Sequence, residues 1–173
     1  MERPFPTLCQ VRALLPADYP AVLQINQDSV HFLSPLSEAA LHAICIESNC
    51  ALVVEDGGEV VAFLLTLPPG AMYRSVNYRW FAEHYAQFLY VDRVVVSLRH
   101  LRRGYGERLY AAVMAFANAH GIARIACEFD LHPPNHASLA FHEGYGFGEV
   151  GTQLLPGGEK SVSLRILELA GGS

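Results

Sequence analysis

The sequence has 173 residues, of which 51% are hydrophobic and 17% charged, with a formal net charge of −5 at pH 7. A chain of this length and apolar content is expected to form a single domain over residues 1–173 with a substantial core, which excludes an intrinsically disordered polypeptide. The acidic balance, with its arginines gathered near one glycine loop, argues against a nucleic-acid partner, and the longest apolar runs fall far short of the about 18 residues that a membrane helix needs.

Taken in chain order, Cys9–Leu14 alternates weakly and reads as a first strand. Pro16-Ala17-Asp18 then opens a helix with Ala21, Val22, Ile25 and Val30 on one stripe, which Ser34-Pro35 breaks. A second helix starts at Ser37 and carries Ala40, Leu41, Ile44 and Cys45. Ala51–Glu55 and Val60–Leu67 read as strands joined by Asp56-Gly57-Gly58, a hairpin signal because the turn needs positive φ angles that Gly and Asp tolerate. Pro68-Pro69-Gly70 ends the second strand. Residues 71–87, AMYRSVNYRWFAEHYAQ, read as a loop and a short aromatic helix, which serves either as core or dimer contact or as a lid over a substrate.

Phe88–Val96 is rich in β-branched and aromatic residues and reads as a buried strand. A basic loop follows, and then a helix over Tyr105–Ala119 with Leu109, Val113, Phe116 and Ala117 facing a core and Gly121 closing it. Ile122–Phe129 is the next strand. Pro133-Pro134-Asn135 stops it and sets Asn135 at a helix N-cap, and Gly144–Phe147 turns the chain into two last strands, Phe147–Leu155 and Ser161–Leu169, across Pro156-Gly157-Gly158. This order gives an α/β chain with a mixed sheet rather than a doubly wound one. Cys9, Cys45, Cys50 and Cys127 are scattered, form no C-x-x-C pair and follow no secretory leader pattern, so they read as core thiols of a cytoplasmic protein.

The loop between the buried strand and its helix carries the chemistry. Gly104 and Gly106 have no Cβ and are expected to turn the chain with its N–H groups facing an anion. The helix start adds unpaired N–H donors and the positive end of its dipole, while Arg99, Arg102 and Arg103 add full charges. A pyrophosphate fits such a cradle. So does the plainer reading of a strand-to-helix turn with solvated arginines. No G-x-x-x-x-G-K-[ST] string exists, and Leu109 occupies the third glycine position of a dinucleotide fingerprint, so neither of those nucleotide loops applies.

Val94-Val95-Val96 followed by Arg102-Arg103-Gly104-Tyr105-Gly106 resembles the acyl-CoA pyrophosphate loop of the GNAT superfamily of N-acetyltransferases, R/Q-x-x-G-x-G/A, with Leu101 standing where Arg or Gln is usual. Downstream, Asn135-His136-Ala137-Ser138-Leu139-Ala140-Phe141-His142 and on to Phe147 is similar to that superfamily's N-x-x-[SA]-x-x-[FL]-[YH]-x-x-x-G-F segment. The resemblance implies a mainly antiparallel, seven-stranded mixed sheet flanked by about four to five helices, with acetyl-CoA as co-substrate and a primary amine of a small molecule or peptide as acceptor. It also implies cofactor contacts from Val94, Val95, Val96, Arg102, Arg103, Gly104, Tyr105, Gly106, Asn135, Ser138 and Phe141. Apolar content and a final hairpin at the sheet edge make a homodimer an expected assembly.

Acetyl transfer from a thioester needs a deprotonated amine, a donor for the developing oxyanion and a proton for the leaving thiolate. Many GNAT members use a tyrosine as proton donor where this chain has His142, which equally reads as a packed helix-face histidine. Some place a glutamate fourteen residues before the first loop glycine; here that count reaches Tyr90. Asp92 lies two residues on, hence on the same strand face, and is a candidate base, or else an ion-pair partner of Arg93. Glu128 and Asp130 on the next strand are further candidates. His31, Phe32 and the Tyr73–Trp80 aromatics are candidate acceptor contacts. His132, His136 and His142 are interrupted by prolines and lack supporting carboxylates, so no metal is expected. Two other readings stay open: a non-catalytic acyl-CoA-binding module, and an interaction domain that reuses the fold.

Overall fold

The computed structural model describes residues 8–31, 33–132 and 134–170, and among them the chain forms seven strands and five α-helices. In order these are β1 (Gln10–Ala13), α1 (Tyr19–Asp28), α2 (Glu38–Glu47), β2 (Ala51–Asp56), β3 (Glu59–Leu67), α3 (Val76–His84), β4 (Leu89–Val96), α4 (Tyr105–Ala119), β5 (Arg124–His132), α5 (His136–Tyr145), β6 (Gly148–Leu154) and β7 (Ser161–Glu168). One sheet carries the strands in the order β1-β2-β3-β4-β5-β7-β6. The β1–β2, β2–β3, β5–β7 and β6–β7 pairs are antiparallel, and β4–β5 is parallel because α4 carries the chain between them. This is the mixed α/β architecture expected from the sequence.

Local chemistry explains the element ends. Gly57 and Gly58 take φ of 61° and 82°, the positive angles that a two-residue hairpin between β2 and β3 requires. Ser37 Oγ caps α2 by accepting the Ala40 N–H at 3.1 Å. The strand expected from Ile122 begins instead at Arg124: Gly121 is left-handed at φ 65°, and the Ile122 N–H still donates to the Ala117 carbonyl at 2.8 Å, so residue 122 belongs to the helix cap. β5 then runs past Phe129, because β7 offers partners as far as His132↔Ser161. β3, an almost unbroken apolar run, is buried from Val61 to Leu67, as a central strand should be. β6 at the sheet edge is polar, mostly exposed and bulged between Glu149 and Gly151, features that discourage pairing with another edge.

By their contacts the described residues form two compact units. One holds the residues up to Thr66 together with Arg93–Val113. Its first helix differs from expectation: a 3₁₀ turn at Pro16–Asp18 precedes α1, which ends at Asp28, so Val30 lies beyond it. Asp18 explains the turn, since Arg12 grips both carboxylate oxygens at 2.8 and 2.9 Å and reaches Glu55 at 2.8 Å. This guanidinium bond holds the Asp18 carboxyl below its usual range although burial opposes it. Arg93, buried, donates to Asn26 Oδ1 at 2.9 Å and to the Ser34 carbonyl at 3.1 Å, tying β4 to α1 and to the coil before α2.

The other unit holds Leu67–Asp92 together with the described residues from Met114 onward. Tyr78 on α3 anchors it: its hydroxyl donates to the Pro68 carbonyl at 2.6 Å and accepts the Ala71 N–H at 2.9 Å. Its ring meets those of Tyr73, Phe88 and Tyr90 at centroid distances of 5.4–5.9 Å. β6 comes close enough to α3 that a Cβ on Gly151 would lie 2.9 Å from Trp80 Cζ2. The four cysteines carry free thiols. No helix among the described residues is long and apolar enough to cross a membrane.

Candidate functional site

In the first unit, β4 leads through a short 3₁₀ turn, Leu98–His100, into the basic loop. Two residues there are left-handed, Arg102 at φ 62° and Gly104 at φ 79°. Gly106, expected to share the turning, instead sits in the first turn of α4 and is absent from the positive-φ residues. Arg102 takes that task, a conformation that costs a non-glycine residue about 1–2 kcal/mol. The first helical bond runs from Arg108 N–H to the Gly104 carbonyl at 3.1 Å, so the N–H groups of Tyr105, Gly106 and Glu107 precede the helical ladder. An added Cβ at Gly104 would meet only Glu107 Oε2, at 3.8 Å, so the loop face is open there. Arg102 and Arg103 are exposed, with Arg103 also hydrogen-bonding the Tyr105 hydroxyl, and Arg99 is engaged by Glu59 at 3.1 Å. The buried Tyr105 donates its hydroxyl to the Asp56 carboxylate in the β2–β3 turn, and that bond raises its own pKa. Unspent amides, a helix N-terminus and two exposed guanidinium groups are a donor set that fits a pyrophosphate.

In the second unit, Tyr90 and Asp92 share one face of β4, and each is hydrogen-bonded. The Tyr90 hydroxyl, fully buried, donates to Glu128 Oε1 on β5 at 2.8 Å. The Tyr73 hydroxyl donates to Asp92 Oδ1. Glu128 Oε2 is buried and has no hydrogen-bond partner. Burial pushes the Glu128 carboxyl up from 4.5 to about 8; Tyr90 and Asn77 pull it down, and Asp92 and then Asp130 push it up. Asn77 is fixed by Gln153, whose Nε2 donates to its Oδ1 at 2.9 Å. Asp130 lies 3.9 Å from Lys160 Nζ. The result is a carboxyl that changes charge near neutrality, which is what a general base requires.

α5 is capped by Asn135, whose side chain accepts the Ser138 N–H at 3.2 Å. His142, 4% exposed, packs its ring against Phe129, Phe141 and Phe147 at 4.8–5.3 Å. Its Nδ1 donates to the Ser138 carbonyl at 2.7 Å. Burial lowers its pKa while that bond opposes the shift, so the ring is neutral at pH 7.

A model of the acetyltransferase (GNAT) family matches residues 11–147. The chain belongs to that family. No curated protein sequence matches it. Among solved structures it is similar to the ribosomal-protein-S18-alanine N-acetyltransferase from Escherichia coli, at 19% identity and TM-score 0.72 over 95% of this chain and 97% of that one. It is also similar to Ard1 from Thermoplasma volcanium, at 16% identity and TM-score 0.76 over 94% and 98%. A third is YncA from Salmonella typhimurium, solved with acetyl-CoA, at 18% identity and TM-score 0.69 over 94% and 95%. At these identities the likeness speaks for the fold.

In this GNAT chain the residues expected at the site fall into separate groups. Val94 and Val96 are half-buried on one face of β4 and Val95 is buried on the other. Gly104 and the arginines form the loop, while the Asn135 side chain accepts the Ser138 N–H at the start of α5. Phe141 stacks edge-on with Tyr145 at 5.3 Å. Of the candidate bases, Glu128 has the perturbed carboxyl, and Asp92 is its charged neighbour. His31 is exposed in the coil after α1, and Phe32 lies outside the described residues. Tyr90, noted in the sequence only for the glutamate it replaces, supplies the hydroxyl that Glu128 binds. The alternation of β4 puts Tyr90 and Asp92 on one face, but only the pairing Tyr90↔Ala126 brings β5 to them. Among the described residues no cluster of three or more His, Cys, Asp or Glu has the arrangement of a metal site.

Proposed function

We propose that the protein is an N-acetyltransferase that moves the acetyl group of acetyl-CoA directly to a primary amine of a small molecule or peptide. The observation that carries the reading is Glu128, a carboxyl raised to about 8 in a chain of the acetyltransferase family. Acetyl-CoA supplies the acetyl group as an activated thioester. The loop amides of 104–107 with Arg102 and Arg103 hold its pyrophosphate, and the β4 backbone at Val94–Val96 supplies N–H groups for the thioester carbonyl. Glu128 takes the proton that the acceptor ammonium must lose, after which the amine nitrogen bonds to the acetyl carbon as the carbon–sulfur bond breaks. The nitrogen gives up a second proton as the amide forms, the departing thiolate takes up one, and Glu128 returns its own to solvent. An amine of pKa about 10 loses its proton more readily to a base of pKa near 8 than to an ordinary carboxylate. Much of the rate comes from holding the two reactants together, an effect of roughly 7 kcal/mol or more in well-oriented cases.

The neutral, buried His142 favours a second reading, a non-catalytic acyl-CoA-binding module, because it stands where many GNAT members have a proton-donating tyrosine. Calorimetry with acetyl-CoA, on wild type and Gly104→Glu, tests the cradle. A CoA-release assay over a panel of primary amines, with Glu128→Gln as control, tests turnover. Binding lost in Gly104→Glu together with turnover lost in Glu128→Gln supports the enzyme. Binding without turnover on any amine supports the module, and no binding to folded wild type refutes both.

A further inference from the structure

We propose that Tyr90 is the positioning residue of the base: its hydroxyl is committed to Oε1 of Glu128, which leaves Oε2 as the oxygen that carries and exchanges the proton. The inference rests on Glu128 serving as the base in the proposed reaction. The phenol reaches from β4 to a carboxyl that β5 presents.

Geometry assigns the division of labour between the two oxygens. Tyr90 is fully buried, and its ring is wedged by those of Tyr78 at 5.4 Å, Phe81 at 5.9 Å and Tyr73 at 6.5 Å, so the hydroxyl at 2.8 Å from Oε1 has nowhere else to turn. Oε2 is buried and makes no hydrogen bond of ordinary geometry, and the pull of the Asn77 amide on the carboxyl is smaller than that of Tyr90, an arrangement that is costly for a carboxylate and milder for a protonated acid. The proton therefore resides on Oε2, and Oε1 is the carbonyl oxygen that accepts from Tyr90. Burial and neighbouring negative charge also raise the phenol's own pKa far up, so Tyr90 remains a donor throughout.

The groups that face this carboxyl come from three elements. Tyr90 and Asp92 lie on β4, Asn77 lies on α3, and Asp130 and Cys127 lie on β5 with Glu128 itself, Cys127 next to it in the chain. Tyr73 acts one step away, through Asp92. Tyr90 and Asn77 favour the charged form and Asp92 and Asp130 oppose it. Tyr90 and Asp92, two residues apart on one strand, thus tune the same group in opposite directions.

The test is carboxyl titration of Glu128 by ¹³C NMR, with glutamate side chains labelled and the resonance assigned by its disappearance in Glu128→Gln. No substrate is needed, so the outcome does not depend on finding the acceptor. In Tyr90→Phe the midpoint rises by about one unit, and in Asp92→Asn it falls. The infrared C=O band of the protonated carboxyl, lowered in wild type by the Tyr90 bond, moves to higher frequency in Tyr90→Phe. Midpoints that do not move, or that move in the same direction in both variants, overturn the proposal. Should Tyr90→Phe fail to fold, the Asp92→Asn midpoint and the wild-type band, read against Glu128→Gln, decide it: a band at the frequency of an unbonded acid refutes it. If Glu128→Gln keeps full turnover while the titration shifts are as expected, the assignment of Glu128 as the base fails and the positioning of its carboxyl stands.

Discussion

Glu128→Gln is predicted to stabilise the folded protein, and to do so more strongly as pH rises. The carboxyl titrates at about 8 in the folded chain against 4.5 unperturbed. At about 1.4 kcal/mol per unit, carrying the charge folded costs about 5 kcal/mol, an upper bound because buried sites relax. The sign follows from which state holds the proton. Between the two values the unfolded chain has released it and the folded chain has not, so wild-type stability is full below 4.5 and is lost as pH rises through 8. Glutamine is nearly isosteric, accepts from Tyr90 and does not ionise. The gain over wild type should therefore be about 1 kcal/mol at pH 5 and approach about 5 kcal/mol at pH 9. Urea unfolding followed by fluorescence of the single tryptophan, Trp80, at pH 5, 7 and 9 measures it. His142 at low pH and Cys50 at high pH act equally in both proteins and cancel in the difference. Parallel stability curves for the two proteins would refute the reasoning.

Gly104→Val should cost about 1–2 kcal/mol in stability, from the left-handed backbone alone since its Cβ meets no close neighbour, yet it should abolish acetyl-CoA binding in calorimetry. Gly151→Ala should destabilise by about 1–3 kcal/mol through the 2.9 Å approach to Trp80, and Trp80→Phe should relieve part of that loss in urea titrations of the double variant. His142→Ala should lower stability by about 2–4 kcal/mol by opening a cavity among Phe129, Phe141 and Phe147. Because burial lowers the His142 pKa, wild type should lose stability as pH falls below about 6.5, and His142→Phe should lose less there.

Local chemistry was readable from the sequence because its causes lie within a few residues. Asp56-Gly57-Gly58 turned as its φ requirements dictate, Asn135 capped the helix it precedes, and the two apolar runs beside the turn became β2 and β3. The loop motif was readable too, but not which residues bend it: nothing local distinguishes Arg102 from Arg103 as the left-handed one. Asp18 resembled a helix-start aspartate, and only the return of β2 beside β1 revealed it and Glu55 as joint partners of Arg12. The carboxyl site was the least legible. Tyr90 and Glu128 are separated by 38 residues, and their meeting depends on the parallel register of β4 with β5, which no pattern within either strand encodes.

The bond from Tyr105 to Asp56 separates what a residue touches from what it controls. A side chain at the hairpin turn holds the residue between the anion loop's two glycines by its hydroxyl, so the loop's posture is inherited partly from a turn distant in sequence. A mutational scan for cofactor affinity should therefore register Asp56 among its sensitive positions, and selection acting on the hairpin would be felt at the loop. Substitutions at positions 56 and 105 should show epistasis, each harmful alone and tolerated as a pair that restores the contact.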